Sequence, residues 1–248
     1  VLADPHKHKQ ASASALAGAA ALLLWVGAVL MLAACGSSTA GSTAPAAARR
    51  VPVDAGGGQS RAGGCAPAHA PAPRGAQRVS KPKRTLDPHK RYLVQMSTNC
   101  GTIEIALAVR SAPRTTASFA YLVARGFYDG LTFHRVAAGF VIQGGDPNGD
   151  GTGGPGYSVV EPPPSDTQYT RGTVAMAKTS TDPSGASGSQ FFIVTAARAP
   201  LPPQYALVGQ VVGGMAGVEA IGRLPTDPPR DGAPKQPVVI GRASLRSS

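Results

Sequence analysis

The sequence predicts a strand-dominated, barrel-like fold with two helices, and three observations predict it. From residue 91 onward, short apolar runs recur between glycines and prolines. Only two segments carry helical periodicity. No strand–helix–strand alternation of the kind that builds a parallel sheet is present.

The elements follow in order. Tyr92–Thr98 and Thr102–Val109 alternate or run apolar around Asn99-Cys100-Gly101, which predicts a hairpin. The stretch from Ala112 to Gly126 places Phe119, Leu122 and Val123 on one helical face, with Thr115 or Thr116 available to cap its start and Gly126 to stop it. Further strands are expected at Thr132–Val136, Phe140–Gln143, Thr173–Ala177, Gln190–Val194, Leu207–Val212 and Val238–Ile240, with a second, short helix at Met215–Ile221. There is no internal repeat.

Upstream of residue 91 the composition changes. Residues 36–90 are dominated by Ala, Gly, Pro, Ser and basic side chains, so they lack the apolar surface that offsets chain entropy, and a disordered linker is expected there. Before it, basic residues (Lys7, Lys9) precede a charge-free apolar run from Ala21 to Ala34, the pattern of an export signal. The run ends in Leu32-Ala33-Ala34-Cys35, which resembles the lipobox of bacterial lipoproteins, with Cys35 the residue that would be acylated. An uncleaved membrane helix is the alternative for residues 1–35, because about 20 apolar residues span a bilayer. Either reading puts the domain, residues 91–248, on the outer face of the cytoplasmic membrane.

Export leaves Cys65 and Cys100 as an even pair where disulfides persist, so a bond between them is expected, with two unrelated thiols the alternative. The formal net charge of +11 is concentrated partly in Arg74, Arg78, Lys81, Lys83, Arg84, Lys90 and Arg91. Such a run fits a solvated segment or attraction to an anionic envelope surface. It does not fit nucleic acid, since no aromatic platform accompanies the charges.

The chemistry lies in two segments, Phe133-His134-Arg135 through Phe140-Val141-Ile142-Gln143-Gly144-Gly145-Asp146, and Ser187-Gly188-Ser189-Gln190-Phe191-Phe192-Ile193-Val194-Thr195. They combine one guanidinium, two amides and bulky apolar groups, with no acid, thiol or metal cluster beside them. Neither cofactor nor metal is expected. A set of this kind suits an apolar ring bound next to an amide that must be polarised.

Both segments resemble those of the cyclophilin family of peptidyl-prolyl cis/trans isomerases, as do Gly151-Thr152-Gly153-Gly154-Pro155-Gly156-Tyr157 and Leu207-Val208-Gly209. The resemblance implies a closed eight-stranded antiparallel barrel with two helices. It also implies a reaction without a nucleophile. The peptide bond resists rotation by about 18–20 kcal/mol because the nitrogen lone pair is delocalised, and X-Pro bonds exchange in tens of seconds. A catalyst must bind the twisted amide more tightly than either planar form. As the bond twists the nitrogen regains its lone pair, and a guanidinium, charged at any relevant pH, can donate to it.

By resemblance Arg135 is that donor and Gln143 orients it, while Phe140, Val141, Phe192 and Leu201 form the cup for the proline ring. Gln190 and the backbone near Ala177 and Lys178 would hold the peptide. Phe191 and His134, one residue off in the alternation, are assigned to the interior. The chain departs from the family pattern in four places. Pro200 stands where many relatives carry Trp, which implies weaker cyclosporin binding; Tyr205 stands where several carry His and would bind substrate by donating a hydrogen bond near its carbonyl; Val141 replaces the commoner Met; and the loop from Lys178 to Gly188 is longer and more polar than the usual one. The partners implied are proline-containing segments of exported proteins, and a monomer is expected. The competing reading is a non-catalytic proline-binding module or holdase.

Overall fold

A computed structural model describes residues 64–248. The calls at Cys35 and over residues 1–35 lie outside the described residues, among which no helix is long and apolar enough to cross a membrane.

The order of elements is β1 (Tyr92–Thr98), β2 (Gly101–Leu107), α1 (Pro113–Ala124), β3 (Arg135–Ala137), β4 (Val141–Gly144), β5 (Val159–Val160), β6 (Tyr169–Thr170) and β7 (Thr173–Met176). It continues with β8 (Ala186–Ser187), β9 (Phe191–Val194), β10 (Arg198–Ala199), β11 (Leu207–Gly213), α2 (Met215–Gly222), β12 (Thr226–Asp227), β13 (Asp231–Pro234) and β14 (Ile240–Ser247). Two helices and many short strands match the class read from the pattern. The closed eight-stranded ladder does not appear as such: the main sheet has ten strands in the order β12-β13-β3-β4-β9-β7-β11-β2-β1-β14. The start of β14 approaches the segment just before β3, where Phe133 N–H donates to Val238 C=O, Ile240 N–H to Leu131 C=O and Gly130 N–H to Ile240 C=O, bonds too few to make a ladder.

Alternation along these strands separates two apolar clusters. Val94, Met96, Ile103, Ile105, Ile142, Val174, Phe191, Ile193 and Val208 face inward with Phe119 and Leu122 of α1. Phe191 is the hub of this core, meeting Phe119, Tyr128 and Phe133 edge-on at 5.5, 5.6 and 5.7 Å between centroids. The second cluster, on the other face, contains Val141, Tyr169, Ala175, Phe192 and Val194.

Helix α1 starts differently from the expectation. Neither Thr115 nor Thr116 caps it; the free N–H groups of Arg114 and Thr115 donate to the Glu161 carboxylate at 3.0 and 2.7 Å. A charge-assisted acceptor at the positive end of the helix does what a local hydroxyl would have done, while the Thr116 hydroxyl bonds back to Ala112 C=O. The stop is as read, with Gly126 at φ +65° just past the last turn. Strand β14 is longer than the apolar run Val238–Ile240, because its Arg and Ser side chains alternate outward while the backbone pairs with all of β1.

Residues 64–90 carry no helix or strand, as their composition implies, but the linker expectation needs correcting for them. They lie along the domain as a strap. Cys65 is bonded to Cys100, Ala66 N–H donates to Asn99 C=O, Arg74 N–H to Pro147 C=O, and Val79 N–H to Pro155 C=O. The Arg74 guanidinium reaches Phe127 C=O at 2.9 Å. Covalent and backbone bonds supply the order that the missing apolar side chains do not.

Candidate active site

The antiparallel register brings the predicted residues into one row. Arg135 of β3 is opposite Gln143 of β4, which is opposite Phe192 of β9, which is opposite Ala175 of β7. Directly paired residues on neighbouring strands point to the same face. The next row on that face is Ala137, Val141 and Val194. Basic, amide and apolar groups thus follow one another across the sheet.

A chain of hydrogen bonds fixes the polar end. Arg135 Nη1 donates to Gln143 Oε1 at 3.1 Å. Gln143 Nε2 donates to Gln190 Oε1 at 3.0 Å. Gln190 Nε2 ends the chain on the carbonyls of Gly151 and Gly153, at 2.8 and 2.9 Å. Both glutamines are oriented, since each amide oxygen accepts and each amide nitrogen donates within the same chain. On the other side, Arg135 Nε and Nη2 donate to the two oxygens of Asp231 at 2.7 and 2.8 Å. This ion pair is exposed, so it contributes little to stability; its effect is on orientation.

The apolar end is the second cluster. Phe140, Leu201 and Tyr205 border it, with Val141 and Phe192 on its floor. The Phe192 and Tyr205 rings meet edge-on at 5.4 Å, and Tyr169 packs against both. Tyr169 Oη donates to Tyr205 C=O and accepts from Tyr205 N–H, which holds the loop carrying Tyr205 in place. Burial pushes the Tyr169 phenol above its ordinary value, so it stays protonated. Beside this cluster is a cavity of about 350 Å³ lined by Gln143, Ala177, Lys178, Ser189 and Gln190, among others. Its rim is shaped by Asp182, which accepts from Thr179 N–H and Oγ1 at 2.8 and 2.7 Å, bonds that hold its carboxyl below the ordinary range. The Lys178 ammonium lies 5.7 Å from the Tyr205 ring centroid.

All ten residues singled out from the sequence for catalysis or substrate binding therefore fall in this region: Arg135, Gln143 and Gln190 in the polar chain, Phe140, Val141, Phe192, Leu201 and Tyr205 in the apolar cluster, Ala177 and Lys178 on the cavity wall. Sequence reasoning missed Asp231, Tyr169 and the carbonyls of Gly151 and Gly153. Asp231 is 96 residues from Arg135, in a proline-rich stretch without strand periodicity. Tyr169 shows as a lone aromatic in a short polar run. His134 is half-buried beside Arg135, and neither ring nitrogen has a hydrogen-bond partner among the described residues. Burial lowers its basicity, with Arg135 adding to the effect and Asp146 and Asp150 opposing it. No group of three or more metal-ligating side chains occurs among the described residues.

An open antiparallel sheet that presents an arginine and two interlocked amides beside an apolar floor defines a site suited to holding an apolar group next to a polar amide. Comparison with known proteins identifies it. The family described as "Cyclophilin type peptidyl-prolyl cis-trans isomerase/CLD" matches residues 93–245. Peptidyl-prolyl cis-trans isomerase B of Streptomyces anulatus is 38% identical over 162 residues, covering 58% of this chain and 91% of the relative. Peptidyl-prolyl cis-trans isomerase A of Mycobacterium tuberculosis is 38% identical over 173 residues, covering 63% and 93%. Among solved structures, a cyclophilin-type isomerase of Cryptosporidium parvum, crystallised in the presence of the dipeptide Ala-Pro, has a TM-score of 0.57 and 31% identity, covering 63% of this chain and 99% of its own. The chain belongs to the cyclophilin family of peptidyl-prolyl cis-trans isomerases. Its reaction is rotation about X-Pro bonds.

Proposed function

We propose that the isomerisation runs on Arg135 and the Phe192 cluster, and that its substrates are exported proteins folding at the outer face of the cytoplasmic membrane. One observation carries the first part: Arg135, Gln143 and Phe192 are consecutive in a single cross-strand row, so a proline ring on Phe192 has its amide beside the guanidinium. Phe140, Val141, Leu201 and Tyr205 enclose the ring and exclude water. Gln143 holds the guanidinium, which donates to the proline nitrogen only once the bond is twisted, so the contact stabilises the transition state selectively. Gln190, Lys178 and the backbone at Ala177 hold the peptide on the cavity side. One chain supplies every residue of the site, so a monomer suffices.

The test is X-Pro exchange measured on the full chain and on Arg135→Ala. The variant is expected to lose about 10²-fold in turnover, as for loss of one preorganised donor, with peptide affinity nearly unchanged. A folded Arg135→Ala protein that isomerises at the original rate would refute the role of Arg135. A wild-type chain that binds peptide without speeding exchange would instead favour the holdase reading.

The second part rests on the sequence pattern at Leu32-Ala33-Ala34-Cys35. Acylation of Cys35 with removal of the preceding residues would tether the enzyme. Mass spectrometry of membrane-extracted protein checks it, and an intact segment from Lys7 through Trp25 would point to an uncleaved helix.

A further inference from the structure

We propose that Asp231 is a positioning residue for the isomerisation: its carboxylate fixes the plane of the Arg135 guanidinium so that the remaining N–H groups face the substrate bond. The inference rests on the assignment of Arg135 made above.

An arginine reaching across a sheet has four flexible side-chain torsions, and the Arg135 side chain is 37% exposed, so packing alone does not hold it. The bond to Gln143 fixes Nη1 at one point and leaves the plane free to swivel about it. Asp231 adds two more points, on Nε and Nη2, and a two-oxygen fork against two adjacent N–H groups sets a plane. The count of donors is informative. Of the five N–H groups of a guanidinium, Nε uses its single one, Nη2 one and Nη1 one. One N–H on each Nη remains, on groups whose other bonds define their direction. These two are the donors left for an incoming peptide.

The backbone that delivers Asp231 is built for that position. Arg230 is the one non-glycine residue with positive φ among the described residues, at +73°, a conformation that costs an L-residue about 1 kcal/mol or more in general and so persists only where its surroundings demand it. At Gly232 any side chain would run into the backbone of Asp227 and Pro228. Ala138 N–H donates to Arg230 C=O at 2.8 Å, and Asp231 pairs with Ala137. The turn is therefore fastened to β3, the strand that carries Arg135. The Asp231 side chain is 54% exposed and, among the described residues, both of its carboxylate oxygens hydrogen-bond to Arg135, so the contact with Arg135 is what this placement accomplishes. That exposure also matters electrostatically. Solvent around the exposed carboxylate weakens its own field, so it orients the guanidinium while offsetting only part of the positive potential that the twisted amide meets.

The experiment measures X-Pro exchange and thermal melting on the full chain for wild type, Asp231→Asn, Asp231→Ala, Arg135→Ala and the Asp231→Ala/Arg135→Ala double variant. Asp231→Ala is expected to lower kcat by about tenfold, the scale of a modest misplacement of a catalytic group. KM and melting temperature should stay near wild type. Asp231→Asn, which keeps one acceptor oxygen, should fall between. In the Arg135→Ala background Asp231→Ala should change nothing further, since its effect passes through the arginine. Asp231→Ala with unchanged or raised kcat, where Arg135→Ala is impaired, would overturn the inference and leave the role of Arg135 standing. An equal loss from Asp231→Ala with and without Arg135 would overturn it too, as an effect exerted elsewhere. Wild-type turnover in Arg135→Ala would remove both.

Discussion

Phe191 and Phe192 are neighbours in one strand, carry the same side chain and are almost equally buried, at 0% and 4% exposure, yet they belong to different parts of the molecule. Phe191 touches Phe119, Tyr128 and Phe133 in the larger core, where side chains from the sheet, α1 and α2 leave it no exposed surface. Phe192 touches Tyr169 and Tyr205 in a smaller cluster whose border residues, Phe140, Leu201 and Tyr205, are only partly covered. Burial does not distinguish a structural phenylalanine from one that awaits a ligand. The completeness of the surrounding shell does.

The largest effect should come from the closed side. Phe191→Ala removes the ring around which three others pack, and is expected to cost about 3–5 kcal/mol of stability, read as a large drop in melting temperature or failure to accumulate folded protein. Phe192→Ala should cost less, because its shell is already open, and should raise KM by removing apolar area that substrate covers in ground and transition states alike. Equal losses of stability, with KM unchanged, would erase the distinction between the two faces.

A smaller effect sharpens the comparison from the helix. Glu161 caps α1, which carries Phe119 into the inner core. Glu161→Gln keeps the shape but loses the charge at the helix N-terminus, and about 1 kcal/mol is expected. The melting temperature should fall by a few degrees while KM holds. A shift in KM would mean that the inner face communicates with the site.

The smallest effect concerns His134, which tests whether the residue beside Arg135 belongs inside. Its folded-state value is depressed below the ordinary 6.5 by burial, so the unfolded chain takes up the proton first as pH falls. The stability from a neutral His134 is fully present above about pH 6.5 and is lost as pH falls through its lower folded value. Melting temperature should decline across that window in wild type and decline less in His134→Phe. Identical pH profiles for the two proteins would show that the buried imidazole is not what titrates.

What the sequence revealed follows from how each feature is encoded. Strand alternation separates Phe191 from Phe192, because period two is local and survives in short strands; the grouping of Arg135, Gln143 and Phe192 comes from the resemblance of their segments to the cyclophilin family, and cross-strand register is what places them on one face. The partners of those residues are encoded across long separations. Asp231 arrives from a turn held by Arg230 and Gly232, Glu161 caps a helix 47 residues away from Arg114, and neither carries a local pattern. Strand β14 was legible only in its apolar first residue, since Gly241, Arg242 and Ser244 read as loop and are held in the sheet by backbone pairing with β1. The strap over residues 64–90 was read by composition, which registers the lack of apolar side chains but not carbonyls and amides that find partners.

The bond between Cys65 and Cys100 joins the start of the strap to the β1–β2 turn and encloses β1 in a covalent ring. A pull on the chain ahead of Cys65, resisted at the C-terminus, is therefore carried straight across the sulfurs. Residues 66–99 bear no tension while the bond is intact. Strand β1, paired with β2 on one side and β14 on the other, is shielded from being peeled away by a leash on the amino-terminal side. The load enters at a turn and runs on into β2.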